Sequence, residues 1–196
     1  MLEIFQLIVL FIVLFDPPAS MLVFLSGTRH LNVTETRKTA VMAFLLAGLF
    51  SFGTLLLGDN LLKIFNTNID NFRIAGGIIL VILGIRMAFG YPLLKTESTE
   101  NKSARSVAAL IATPLLTGPA VISSIIVLRY DYGMFLTGLS VLIVLLFALF
   151  LFLFARRLYR ILNPVTIQIM TTFLGLITIA WGIGFFRAAV SMTHFL

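Results

Sequence analysis

Four long stretches of this chain contain no Asp, Glu, Lys or Arg, and they constrain its fold more than any other feature. A helix needs roughly 20 apolar residues to cross the hydrocarbon core of a bilayer, and each stretch is long enough to do so. Such runs predict transmembrane helices. They cover residues 39–58, 106–128, 132–155 and 161–186.

Two further apolar stretches, at about 4–25 and 72–91, are also long enough to cross a bilayer although they carry charges. Asp16 interrupts the first, and Arg73 and Arg86 lie near the ends of the second. Of all residues 60% are hydrophobic and 11% are charged, whereas about a quarter are charged in a soluble domain. The sequence therefore predicts an all-α polytopic membrane protein with six transmembrane helices and no soluble domain.

The basic residues are divided unequally between the two sides of the predicted membrane. Because cytoplasmic loops are enriched in Lys and Arg, the richer side is predicted to be cytoplasmic, which places both termini outside the cell membrane. The net charge of +6 then reflects topology rather than a nucleic-acid surface. The richer side has Arg29, Arg37, Lys38, Arg86, Lys95, Lys102, Arg105, Arg156, Arg157 and Arg160, and the other side has Lys63, Arg73, Arg129 and Arg187.

The most polar segment, residues 94–106, divides the chain into two halves with three predicted spans each. We interpret it as a cytoplasmic linker between a first three-helix repeat, residues 1–93, and a second, residues 107–196. An odd number of spans per half means that the second half enters from the opposite side, which predicts a 3+3 inverted repeat, a common plan in secondary transporters. Aligning Pro18 with Pro119 gives an offset of 101 residues, and aligning Gly76 with Gly175 gives an offset of 99.

Spans 1 and 4 contain prolines at helix-interrupting positions. Proline lacks the backbone N–H group and clashes with the preceding turn, so each span is expected to break into two half-helices. The second half-helix of span 1 is predicted to begin at Pro17 with Asp16 as its N-cap, and that of span 4 at Pro119, capped by Gly118 or Thr117. Free backbone groups at membrane depth are tolerated only inside protein or around a wet cavity.

The inverted topology would bring these two helix starts face to face near the bilayer midplane. A helix start carries free N–H groups and partial positive charge, which suits a small carboxylate, and Asp16 with the freed carbonyl groups suits an ammonium group. The pattern therefore predicts a site for a zwitterion. Roles for Asp16 as an N-cap alone, or for the prolines as kinks alone, stay open. The candidate substrate-binding residues are Asp16, Pro17, Pro18, Ser20, Gly76, Gly77, Thr117, Gly118, Pro119, Ser123 and Ser124.

Other residues in the spans are expected to have structural roles. Small residues in span 2 and the glycines of span 3 suit close helix packing, although Gly76 and Gly77 would also let a ligand approach the backbone. Span 5 is rich in Leu and Phe and is expected to face lipid, and Arg86 is expected to anchor span 3 at the membrane interface. The small residues of span 2 are Ala40, Ala43, Ala47, Gly48 and Ser51, and the glycines are Gly76, Gly77 and Gly84.

Three sequence motifs resemble the MarC family of membrane proteins. They are "FDPPASMLVFLSGT" from Phe15, "FRIAGGIILVILGIRM" from Phe72 and "TPLLTGPAVISSII" from Thr113. The family is grouped with the LysE-type transporters, and the resemblance implies six spans and transport of small neutral amino acids. Family members often have Gly after the prolines that correspond to Pro18 and Pro119, where this chain has Ala19 and Ala120.

The favoured function is a secondary transporter of small neutral amino acids or similar small solutes, with proton coupling through Asp16 and homo-oligomerisation left open. A non-transporting membrane scaffold or assembly protein is the alternative. Metal export is disfavoured because the chain has no Cys and only two His, both outside the spans. An intramembrane enzyme is disfavoured because no His lies inside a span to act as a base or ligand. No cofactor, metal or nucleic-acid partner is expected.

Overall fold

The computed structural model describes residues 2–64, 66–90, 108–109, 116–158 and 164–193. Five segments of this part of the chain are long and apolar enough to cross a membrane, which confirms the predicted all-α polytopic class. The predicted linker at 94–106 lies outside the described residues, as does Pro114, the other proline of predicted span 4. The helices are α1 (Leu2–Phe15), α2 (Pro17–Thr28), α3 (Val33–Ile64), α4 (Ile69–Ala88), α5 (Pro119–Leu153), α6 (Ala155–Leu158) and α7 (Pro164–Thr193).

The first predicted span is broken at Asp16, as the prolines indicate. The backbone of Asp16 has φ 38° and ψ 64°, a left-handed conformation that Asp tolerates better than most residues. Helix α2 begins at the next residue, Pro17, and Asp16 Oδ1 accepts a hydrogen bond from the Ala19 N–H at 3.4 Å. The predicted start of the half-helix and the predicted N-cap are both confirmed.

Helix α5 reverses direction at Gly133, where the backbone leaves helical geometry between two helical parts. A side chain at Gly58 of α3 would come within 3.2 Å of Ile126, and one at Gly138 within 2.9 Å of Leu55. A straight helix would separate positions 126 and 138 by about 18 Å, yet both contact one turn of α3. Gly133 has φ 83° and ψ 163°, which a glycine adopts without strain. The sequence predicts that span 4 ends and span 5 begins near this point. The total of six membrane crossings stays a prediction.

Helices α4 and α7 form an antiparallel pair held together by four glycines. A Cβ atom at Gly84 would lie 2.6 Å from the Gly175 carbonyl oxygen, and one at Gly175 would lie 2.8 Å from the Gly84 oxygen. Gly77 and Gly182 make the same reciprocal contact at 2.8 Å each way. The two backbones therefore touch where any side chain would separate them, and the predicted packing role of Gly77 and Gly84 is confirmed.

The same four glycines bear on the predicted inverted repeat. Gly77 precedes Gly175 by 98 residues, and Gly84 precedes Gly182 by the same interval. Gly77 therefore corresponds to Gly175, and Gly182 corresponds to Gly84. When the two halves are exchanged, the contact between Gly77 and Gly182 becomes the contact between Gly175 and Gly84. An inverted repeat predicts this exchange, but with Gly77 rather than Gly76 equivalent to Gly175. The repeat itself stays a prediction.

The small residues of span 2 form a packing face, as expected, with one exception. Ala40, Ala43, Ala47 and Ser51 are buried, whereas a side chain at Gly48 would meet nothing within 4 Å. Because these four recur at intervals of three and four residues, they lie on one side of α3.

The expectation that span 5 faces lipid is wrong for one side of the helix. Ser140, Val141, Val144 and Ala148 are buried, and the ring of Phe152 stacks on Phe24 with centroids 4.9 Å apart. Leu and Phe suit lipid and protein interior equally, so composition alone did not indicate which side of the helix packs.

An ionic cluster holds the first turns of α4 against the reversal in α5. Arg73 is 3% exposed and forms salt bridges with Asp70, at 2.8 Å, and with Asp131. Its guanidinium carbon also lies 5.6 Å from the centre of the Tyr130 ring. Both carboxylates stay partly exposed, so the cluster marks the end of the bundle that lies opposite Arg86 along α4.

Candidate functional site

A cavity of about 110 Å³ lies between the starts of α2 and α5. The last turn of α1 and the first turn of α5 form its walls together with one face of the C-terminal half of α4. Two of its lining residues are charged, Asp16 and Arg86, and the others are apolar residues or glycine. Its lining residues are Leu14, Phe15, Asp16, Ile79, Leu83, Arg86, Met87, Gly118, Pro119, Ala120 and Val121.

Asp16 is 2% exposed, and its two carboxylate oxygens have different surroundings. Oδ1 accepts the N-cap hydrogen bond from Ala19, and Thr171 Oγ1 of α7 lies 3.5 Å away from it. Oδ2 is buried and has no hydrogen-bond partner among the described residues. A buried oxygen without a partner is costly, so a donor supplied from the adjoining cavity would be favoured there. Asp16 is thus an N-cap through one oxygen and retains binding capacity through the other.

The start of α5 differs from that of α2 in having no side-chain cap. Gly118 occupies the cap position in an extended conformation, with φ −68° and ψ 173°, and it cannot offer a side-chain acceptor to the first turn. Pro119 has no N–H group and the Val121 N–H donates to the Gly118 carbonyl oxygen at 2.9 Å, so the Ala120 N–H and the partial positive charge of the helix start are what would attract an anion here. Because Gly118, Pro119 and Ala120 line the cavity, this positive end borders the same space as Asp16.

Ser20 satisfies a backbone group that the helix break at Asp16 leaves free. Its hydroxyl donates to the Phe15 carbonyl oxygen at 2.8 Å, and its side chain is fully buried. In an unbroken helix the Ala19 N–H would bond to that oxygen, but here it bonds to Asp16. Ser20 therefore supports the break and does not line the cavity.

The other predicted hydroxyl residues lie near the start of α5 but outside the cavity wall. Ser123 donates to the carbonyl oxygens of Pro119, at 2.9 Å, and Ala120, at 3.1 Å. Ser124 is fully buried, and within the described ranges its Oγ has no partner. Thr117 is buried immediately before the helix start. Any contact of these groups with a solute stays a prediction.

The two glycines of the predicted site face other helices rather than the cavity. A Cβ atom at Gly76 would lie 3.0 Å from Ser123 Oγ and 3.5 Å from the Phe185 ring. Gly77 faces α7. Of the predicted site residues, the cavity therefore brings together Asp16, Gly118 and Pro119, while Pro17 and Pro18 form the adjacent first turn of α2.

Sequence reasoning missed two polar residues at this site, Arg86 and Thr171. Arg86 was expected to be an interfacial anchor, which stays a prediction, and this exposed residue also lines the cavity together with Ile79, Leu83 and Met87 of α4. Their spacing of four, three and one residues indicates a single helix face. That periodicity was visible in the sequence, but nothing in it showed that this face meets Asp16. Thr171 carried no such signal.

Comparison with known proteins agrees with the membrane architecture. Residues 1–194 match the family described as MarC family integral membrane protein. The chain is 36% identical over 185 residues to the UPF0056 membrane protein YhcE of Escherichia coli, covering 88% of this chain and 84% of that protein. It is 30% identical over 187 residues to a UPF0056 membrane protein of Buchnera aphidicola, covering 90% and 86%.

A relative from Archaeoglobus fulgidus, also a UPF0056 membrane protein, is 32% identical over 128 residues, covering 63% of this chain and 60% of that protein. No solved structure matches the chain. The family match extends across nearly the whole sequence and includes every helix that borders the cavity. The chain therefore belongs to the MarC family of integral membrane proteins.

Proposed function

We propose that this protein is a secondary transporter of small neutral amino acids, and that its binding site is the cavity between the starts of α2 and α5. The observation that carries the proposal is the pairing of Asp16, whose Oδ2 is buried without a partner in the described chain, with the uncapped start of α5 across one small cavity. An ammonium group would bind Asp16, and a carboxylate would bind at the start of α5. Asp16 is also the group through which a proton would be coupled to transport.

The position of the site within the helices supports transport over a rigid scaffold. The cavity adjoins a broken helix, and transporters commonly place a substrate site where helices are broken at membrane depth. On the side of Arg73, α4 is held against its neighbours by the contact of Gly77 with Gly182 and by the salt bridges to Asp70 and Asp131. With the basic side in the cytoplasm, the Arg86 end would face the cytoplasm and both termini would face outside. A scaffold would need neither the cavity nor a carboxylate buried beside it.

The size of the cavity predicts selectivity for the smallest amino acids. A cavity of about 150 Å³ holds benzene, with six non-hydrogen atoms, so one of about 110 Å³ suits four or five. We expect counterflow in proteoliposomes to accumulate labelled glycine most strongly, then alanine and serine, with leucine and lysine near the protein-free background. Each added methylene group that does not fit would lower transport by about 10-fold.

The outcome separates the two functional hypotheses. Accumulation of glycine above empty liposomes, with leucine excluded, would establish a carrier for small zwitterions. Absence of accumulation for all five amino acids, by protein that is folded and correctly inserted, would favour the scaffold.

A further inference from the structure

Arg86 brings a positive charge to the same cavity as Asp16. It lies in the last turn of α4, and the cavity also contacts Ile79, Leu83 and Met87 on that helix face. The cavity measures only about 110 Å³, so a solute that fills it borders both Asp16 and Arg86.

A structural role accounts for only part of this placement. A cation in the last turn of a helix is favoured by the partial negative charge of the helix end, and a long basic side chain can anchor a helix at the membrane interface. An arginine in the last turn could fulfil both roles on any face of α4. Neither explains why Arg86 lies on the face that borders Asp16 and the start of α5.

The combination of charges distinguishes a zwitterion from a simple amine. An amine without a carboxylate could bond to Asp16 but would bring no anion to Arg86. A carboxylate can accept two parallel hydrogen bonds from one guanidinium group, which lysine cannot provide in the same geometry.

We propose that Arg86 binds the carboxylate of the solute, together with the start of α5, and thereby determines that the transporter selects amino acids over amines and amides. This inference rests on the proposed function and names the residue that sets the substrate class. Asp16 binds the ammonium group at the other end of the solute.

The test compares glycine with glycinamide, which keeps the amino group and replaces the carboxylate with a neutral amide. Binding of labelled glycine to purified protein, and its competition by each compound, gives the two affinities. We expect wild-type protein to prefer glycine, and Arg86→Gln to weaken glycine binding by about 10- to 100-fold while changing glycinamide binding little. The affinity of Arg86→Lys for glycine should lie between those of wild-type protein and Arg86→Gln, because lysine retains the charge without the planar pair of donors.

Arg157→Gln is the matched control, because Arg157 is an exposed arginine on α6 that does not line the cavity. It should keep the wild-type preference. If Arg86→Gln and Arg86→Lys bind glycine as wild-type does and discriminate against glycinamide equally well, the assignment of Arg86 is overturned while the proposed transport function stands. If wild-type protein binds neither glycine nor alanine, the proposed function fails, and the inference fails with it.

Discussion

Replacing Gly84 with alanine should destabilise the protein by about 2 kcal/mol or more, because the new Cβ atom would lie 2.6 Å from the Gly175 carbonyl oxygen. Neither backbone can move without separating α4 from α7. For a protein of this size, the loss corresponds to a thermal midpoint lower by about 4–8 °C, measurable by thermal unfolding in detergent. Because α4 also forms a wall of the cavity, glycine binding should weaken in the same variant.

Gly48→Ala is the matched control for this experiment. Gly48 is also inside a long helix, but a side chain there would meet nothing within 4 Å. Removing the conformational freedom of glycine should leave the free energy of unfolding unchanged or raise it by up to about 1 kcal/mol. Equal stability of the Gly84 and Gly48 variants would contradict the close α4–α7 contact.

Asp16→Asn should reduce glycine counterflow by about 10- to 100-fold while leaving the fold intact. Asparagine has nearly the same shape, tolerates the left-handed backbone and still offers an oxygen to the Ala19 N–H group. What it removes is the negative charge available to an ammonium group. The measurement is the initial rate of counterflow, normalised to the amount of correctly folded protein in the liposomes.

Two further variants separate binding from local structure. Glu3→Gln makes the same chemical change at an exposed position in the first turn of α1, and it should transport like wild-type. Asp16→Ala removes the N-cap and introduces a residue poorly suited to positive φ, so it should also lower stability by about 1–2 kcal/mol. Transport by Asp16→Asn at the wild-type rate would exclude the charge of Asp16 from the mechanism.

Sequence reasoning succeeded where a feature depends on neighbouring residues. The break at Asp16 follows from two adjacent prolines, and the N-cap follows from a short carboxylate immediately before them. The start of α5 at Pro119 follows from the same rules. The glycines of α4 predicted a close contact, although the partner helix became known only from the structure.

Prediction from the sequence failed for features that depend on which distant segments of the chain meet. The sequence predicted Arg86 as an interfacial anchor but did not show that the face of α4 that carries it also borders the cavity beside Asp16. Thr171 lies 155 residues from Asp16 in the sequence, and no local pattern relates them. Likewise, lipid and protein interior favour the same apolar residues, so the buried side of the second half of α5 was not evident from its composition.

The most direct test of a solute in the cavity is protection of Ala120→Cys from a small thiol reagent. Ala120 lines the cavity, and the chain contains no cysteine, so a single introduced thiol reports on this site alone. Ser191→Cys, at an exposed position near the end of α7, serves as the control. We predict that glycine at ten times its Kd slows labelling of Ala120→Cys about 10-fold and leaves Ser191→Cys unchanged. Equal labelling of Ala120→Cys with and without glycine, in protein that transports glycine, would place the binding site elsewhere and contradict the account.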